Sequence, residues 1–404
     1  MVATNENKKN KKTEGKTVII GFIIIFTLLL ILPMAQRRYR FIPPRPVTNV
    51  YIEKKFPKYK WEHFKTGKFQ KLFENYFLQT GGLWGILLAS NNSIDYTLFR
   101  EISTRDAGAV LVGKDYALYE SMYVNDYNGR SLKTVNELRQ QTESIKRLQD
   151  FMAAHGKAVL VLVSANKAAL YPEWIPDRFK VGKPQMRNID VLRKLYQEAG
   201  VNFIDSAQLL KGQAGKYEYR FYAPSAAHWN SVASCLVAKE LMTRAETLIN
   251  KKFKTIVCGT EIEVRDHPAG TDRDLANLIN VWNPSLSYAP TPYMTVHSET
   301  NAEAYDPKML FVGTSFLWSI FDVLEKQDIY TQRDFYYYAS TNHYRYRLEN
   351  GNVKKGSYRL VYRKMDFIKN LLQQDIIVLE INEARIHQLG FTFLKVADKR
   401  FSQL

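Results

Sequence analysis

From Val18 to Met34 the chain reads VIIGFIIIFTLLLILPM, 17 residues without a single charge. A helix of that length is close to the shortest that spans the hydrocarbon core of a bilayer. Five lysines (Lys8, Lys9, Lys11, Lys12, Lys16) precede the run and three arginines (Arg37, Arg38, Arg40) follow it. A cleaved signal peptide carries a shorter apolar stretch ending in a small-x-small site; here only Ala35 offers a small residue near the end. The run therefore reads as an uncleaved single-pass anchor. The more basic N-terminal flank places the N-terminus inside and the remainder periplasmic or extracellular. Pro43, Pro44, Pro46 and Pro57 then mark an extended stalk. This divides the chain into a cytoplasmic basic tail (1–16), a transmembrane anchor (17–35), a stalk (36–69) and one large domain (70–404).

The remainder is ordinary globular material. Of 404 residues, 46% are hydrophobic and 24% charged, which excludes a disordered chain, a collagen-like repeat and a multi-span membrane protein. The formal charge is +17; residues 1–40 carry +6 of it and leave +11 for the body. A basic body suits an anionic partner such as a polysaccharide, lipid headgroups or nucleic acid. No helix-turn-helix, zinc-finger or RNP pattern is present, so nucleic acid is not expected as a partner. Cys235 and Cys258 are too few for a disulfide scaffold or a Cys-rich zinc module, and leave open one disulfide or two buried thiols.

Apolar spacing predicts alternating helices and strands. Leu138, Ile145, Leu148 and Met152 share one face of a helix over 134–154, and Gly156 stops it. The continuous apolar run Ala158–Val163 suits a strand buried on both faces. The pattern repeats with a helix over 188–199, a strand over 201–205, a long helix over 230–249, a strand over 309–313, and a helix over 367–372 leading into a strand over 376–381. Such alternation predicts an α/β domain of three αβα layers.

In open α/β sheets, functional groups gather beyond the C-terminal ends of strands. Ser315 follows the strand MLFVG at a strand-to-helix turn, where a hydroxyl is exposed and helix N–H groups stabilise an oxyanion. The alternative for Ser315 is a plain helix N-cap. His228 stands in PSAAHWN just before a helix; its alternative is a structural histidine beside Trp229. The other six histidines are scattered and HExxH does not occur, so no metal centre is expected. No phosphate-binding glycine motif occurs, so no nucleotide cofactor is expected.

At these residues the chain resembles a known family, the SGNH-hydrolase-like O-acetyltransferases of exported polysaccharides, of which the alginate acetylation proteins are the best known. The matching blocks are VGKDYALYE (112–120), VLVSANKAALYPE (161–173), AHWN (227–230), FVGTSF (311–316) and IIVLEINEARI (376–386), in the same order and spanning about residues 70–390. The resemblance implies an SGNH-like fold with Ser315 as nucleophile and His228 as general base. The serine would carry acetyl as an ester and pass it to a polysaccharide hydroxyl, the acetyl coming from a membrane-bound O-acyltransferase and no cofactor being needed. Thr314, Asn166 and Asn230 are the candidates for substrate or oxyanion contacts. Two departures stand out. The family's Asp two residues before the His is here Ala226, and GGLWG (81–85) occupies the place of a Phe/Arg-bearing motif. Either another acid (Asp205, Asp266, Glu380 or Glu383) reaches His228, or the site works as a Ser–His dyad, or the chain is a non-catalytic homologue that binds the polysaccharide or scaffolds the machinery. An acetyl esterase would use the same Ser–His pair.

Overall fold

The apolar run lies within one continuous helix, α1 (Ala3–Tyr39), in the computed structural model, which describes residues 3–48, 55–80, 82–102, 110–181, 186–299 and 304–402. By length and composition the stretch Lys16–Tyr39 is able to cross a membrane, and none of its apolar window is buried. Helices α2 (Trp61–Lys65), α3 (Lys68–Thr80) and α4 (Trp84–Ile94) follow. Residues 1–108 and 278–283 form one unit, and residues 109–277 and 284–404 a second. Residues 70–108, read from sequence as the start of the large domain, thus group with α1, and the span read as stalk contains α2.

Among its described residues the second unit holds eleven strands: β1 (Val110–Val112), β2 (Leu118–Glu120), β3 (Ala158–Ser164), β4 (Phe203–Asp205), β5 (Thr255–Arg265), β6 (Thr291–Glu299), β7 (Lys308–Gly313), β8 (Gln332–Tyr337), β9 (Thr341–Arg347), β10 (Val353–Arg359) and β11 (Ile376–Asn382). Seven form the central sheet in the order β10-β9-β8-β7-β11-β3-β4. From β8 to β4 it is parallel, and β9 and β10 extend it antiparallel. β1 pairs with β2, and β5 with β6. All seven residues of β3 and of β11 are buried, as expected of strands covered on both faces.

Side-chain alternation assigns the faces. Val159, Val161, Val163, Leu310, Val312, Ile377, Leu379 and Ile381 point to one side, against Leu138, Ile145, Leu148, Ile189, Leu192 and Phe393 of flanking helices. Glu380 and Gly313 therefore point to the other, toward the helices Ser231–Ile249 and Phe316–Lys326. The outcome is the α/β fold with a central sheet that the sequence predicts. The sequence reading did not include β8–β10; of these, β10 is exposed along its whole length and carries no apolar alternation. Cys235 and Cys258 form a disulfide, joining the helix Ser231–Ile249 to β5.

Candidate active site

Ser315 lies at the end of β7, immediately before the 11-residue helix Phe316–Lys326. Its side chain makes no capping hydrogen bond, so the N-cap reading does not account for it. The turn is set from beneath by Glu380 of β11. Its carboxylate, fully buried, accepts hydrogen bonds from Ser164 Oγ at 2.6 Å, Thr314 N at 2.6 Å and Thr314 Oγ1 at 2.9 Å. Burial pushes the Glu380 carboxyl above its ordinary value, and these bonds pull it back. Gly313 is required here by close approach: a Cβ would lie 2.6 Å from Glu380 Oε2 and 2.8 Å from Leu317 Cδ1.

His228 comes to the same place from 87 residues earlier in the chain. Its Nε2 is 2.7 Å from Ser315 Oγ, and its Nδ1 is hydrogen-bonded to Asp274 Oδ2. Donation of Nδ1–H to the carboxylate leaves Nε2 as acceptor for the serine hydroxyl. The other Asp274 oxygen accepts the main-chain N–H groups of Ala227 at 2.8 Å and Leu275 at 2.7 Å. One carboxylate therefore fixes both the imidazole and the loop that carries it. Burial lowers the affinity of His228 for a proton, but the hydrogen bond and charge of Asp274 outweigh it and hold its pKa above the ordinary 6.5. The imidazole packs on Phe316, ring centroids 4.6 Å apart, and the neighbouring Trp229 Nε1 donates to Ser319 Oγ at 2.6 Å.

A buried cation holds the far side of the histidine loop. Lys167 is fully buried, and its Nζ donates to the carbonyls of Leu118, Ala223, Pro224 and Ala226 at 2.8, 2.9, 2.9 and 2.7 Å. Burial pushes this ammonium down to about 7, while the four carbonyl dipoles aimed at it favour its charged form. Ser225 is tied in the same way, its Oγ donating to the Asp272 carbonyl at 2.6 Å. At the end of β2, Glu120 stands close enough to feel the charges of His228, Arg385 and Asp274; burial raises its pKa most, and its Oε2 has no hydrogen-bond partner among the described residues.

None of the four acids proposed from sequence is the partner of His228. Asp205 caps the helix Ser206–Gln213 and pairs with Arg193 at 2.6 Å. Asp266 is exposed just beyond β5. Glu380 holds the serine turn, and Glu383, raised to about 7 by burial, pairs with Arg187 at 3.0 Å. The acid sits on Asp274, in the segment DRD (272–274), which carries no spacing relative to the histidine that a sequence reading could use. The three residues proposed for substrate or oxyanion contact are also engaged. Thr314 N–H donates to Glu380. Asn166 caps a short helix and donates to Tyr123 O at 2.9 Å and Asp126 Oδ2 at 3.0 Å. Asn230 caps the helix Ser231–Ile249 and donates to Arg220 O at 2.6 Å.

Comparison with known proteins places the family. Among solved structures the chain is similar to the O-acetyltransferase domain of Pseudomonas putida AlgJ (16% identity over 69% of this chain and 92% of that one, TM-score 0.43). It is similar also to Pseudomonas aeruginosa AlgX (13%, 71% and 67%, TM-score 0.42) and Bacillus cereus PatB1 (12%, 63% and 92%, TM-score 0.36). No curated protein sequence matches the chain. The family model for the SGNH hydrolase-like domain of the acetyltransferase AlgX matches residues 110–329. That match takes in more than half of the chain, with Ser315, His228 and Asp274 inside it. The chain therefore belongs to the AlgX family of SGNH hydrolase-like acetyltransferases.

Proposed function

We propose that the protein O-acetylates an exported polysaccharide through an acetyl ester on Ser315. In the first half-reaction Ser315 Oγ attacks the carbonyl carbon of the acetyl donor as His228 Nε2 takes the hydroxyl proton. The tetrahedral intermediate collapses, the donor's leaving group departs with that proton, and acetyl remains on Ser315. In the second half-reaction a sugar hydroxyl attacks the ester, His228 takes its proton, and the serine oxygen leaves and is reprotonated. Asp274 keeps the imidazole in the working tautomer and stabilises the imidazolium. The N-terminal end of the helix Phe316–Lys326 places its positive dipole beside the developing oxyanion.

The observation that carries this reading is the continuous hydrogen-bonded series Ser315–His228–Asp274. It supplies the acid absent at Ala226 and so favours an enzyme over a non-catalytic homologue. A retained anchor at residues 17–35, N-terminus inside, holds the catalytic unit outside the cytoplasm, where a membrane-bound O-acyltransferase delivers acetyl. The Cys235–Cys258 disulfide supports an oxidising compartment.

The test combines an activated acetyl ester with intact-mass analysis. The wild-type chain accumulates one acetyl adduct, which peptide mapping places on Ser315. Ser315→Ala forms none and loses acetyl transfer to polysaccharide by about 10⁴-fold or more. Undiminished polysaccharide acetylation in cells carrying only Ser315→Ala would refute the proposal.

A further inference from the structure

The glycine segment that departs from the family pattern takes no part in the Ser–His–Asp site, and it builds something else. Within the first unit, the carboxamide of Gln36 accepts the N–H of Ile42 at 3.0 Å and donates to the Ile42 carbonyl. This pair of bonds turns the chain back at the end of α1. The returning segment and the end of α1 then meet Gly82 and Gly85 with no side chain between. A Cβ at Gly82 would lie 2.5 Å from Gln36 Cγ and 2.7 Å from Arg37 N; at Gly85 it would lie 2.3 Å from the Arg45 carbonyl oxygen. Gly81 is outside the described residues.

These close approaches border an open cavity of about 500 Å³. Arg37, Arg40 and Arg45 line it, and no carboxylate does. Two of the guanidinium groups are already oriented by neutral partners. Arg37 Nη2 donates to Tyr76 Oη at 2.8 Å; Arg45 Nη2 donates to the Val281 carbonyl at 2.8 Å and its guanidinium lies 4.2 Å from the Trp282 ring centre. None of the three pairs with a carboxylate among the described residues. Their remaining N–H donors form a preset, uncompensated site for an oxyanion, and guanidinium forks match phosphate in particular.

Position selects the source of that phosphate. The uncharged run ends at Met34, and Arg37 follows three residues later on the same helix, about 4.5 Å further along its axis. The cavity therefore stands at headgroup depth if α1 spans the bilayer. We infer that this cavity binds the phosphate of an anionic phospholipid headgroup. Bound there, the lipid ties the end of α1 to Arg45 on the returning segment and fixes the depth of the unit in the membrane. The inference rests on the proposal that α1 is a retained anchor.

The experiment uses the full-length chain in detergent, with phosphatidylglycerol, phosphatidylcholine or inorganic phosphate added and retained lipid read by native mass spectrometry. Phosphatidylglycerol is expected to be retained at least tenfold better than phosphatidylcholine. Each of Arg37→Gln, Arg40→Gln and Arg45→Gln should weaken retention about fivefold, and the triple variant should abolish the preference. Gly85→Ala removes no charge but collides with the Arg45 carbonyl, so it too should weaken retention in protein whose melting curve is unchanged. Equal retention of the two lipids, or full retention in the triple arginine variant, would overturn the inference while leaving the anchor intact. Displacement of phosphatidylglycerol by equimolar inorganic phosphate would also overturn it, by reducing the cavity to a free-phosphate site. An intact mass showing cleavage near Gln36 would overturn the anchor and the inference together.

Discussion

The serine turn and the histidine loop meet at 2.7 Å, but they are held by different means. Ser315 is positioned by its own strand, β7, and by Glu380 on the adjacent parallel strand, so the support lies within the sheet's hydrogen-bonded frame. His228 has no strand beneath it. Its loop is held by groups from other elements: Lys167, which collects four carbonyls, Asp274, which takes the imidazole and two main-chain N–H groups, and hydrogen bonds of Pro224 to Leu118 and of Ser225 to Asp272 and Ala276. The difference teaches where the site is fragile. A turn set within a sheet tolerates the loss of one partner better than a loop that depends mainly on side chains from distant elements.

That contrast orders the expected effects. Asp274→Asn should be the most severe, because the amide favours the wrong imidazole tautomer and cannot stabilise the imidazolium; a loss of about 10⁴-fold in kcat is expected. The pH profile gives a second readout. In the proposed reaction His228 must be neutral to accept the serine proton, and its pKa is raised above 6.5, so the rate should rise with pH through a midpoint above that value. Asp274→Asn removes the largest contributions that oppose burial, leaving those of Glu120 and Glu380, and moves the midpoint down. A profile that keeps its midpoint would show that Asp274 does not govern the imidazole.

Lys167→Met should come next. It removes the side-chain donor from four carbonyls, of which those of Ala223 and Pro224 keep a main-chain donor, costing about 2–3 kcal/mol of stability in a denaturant melt. It also frees the histidine loop, with kcat falling about 10²-fold from misplacement while KM changes little. Lys167→Arg cannot place a compact ammonium among the four carbonyls and should not restore the rate. A full rate in the methionine variant would remove Lys167 as a positioning residue.

Glu380→Gln probes the other half. An amide cannot accept from all three donors, so the turn loses one or two charge-assisted bonds worth about 1.5–3 kcal/mol together. The sheet still carries the turn, and the expected fall in kcat is only about tenfold. A loss as large as that of Asp274→Asn would break the comparison.

Ala226→Asp should have the smallest effect. Ala226 is fully buried within the loop that Asp274 already serves, and a second carboxylate there adds like-charge repulsion. Turnover should stay level or fall a few-fold, measured as hydrolysis of an activated acetyl ester. In the Asp274→Asn background the same change should recover part of the lost rate, and failure to do so would show that position 226 cannot reach the imidazole.

Much of this was readable from local sequence. Ala158–Ser164 and Ile376–Asn382 are buried on both faces, so their apolar runs announce central strands without reference to anything distant. Ser315 and His228 were singled out at a strand end before a helix and at a helix start after a turn, and the family resemblance gave them their proposed roles. The apolar run needs only its own length and composition to read as able to cross a membrane. The Tyr-rich edge strands carried no such mark, since their pairing is decided by β7 offering an open edge.

What the tertiary structure alone decided is the acid. A carboxylate orients an imidazole by lying within hydrogen-bond reach of Nδ1, and that condition is one of distance in space. Any element that the fold delivers to the spot can satisfy it. Here the fold delivers Asp274, 46 residues beyond the histidine, while Glu380 and Glu383, which sit at a strand end as sequence logic prefers, are drawn to the serine turn and to Arg187. Local signals reveal which residues can do the chemistry; which of them meet is fixed by packing across the whole sheet.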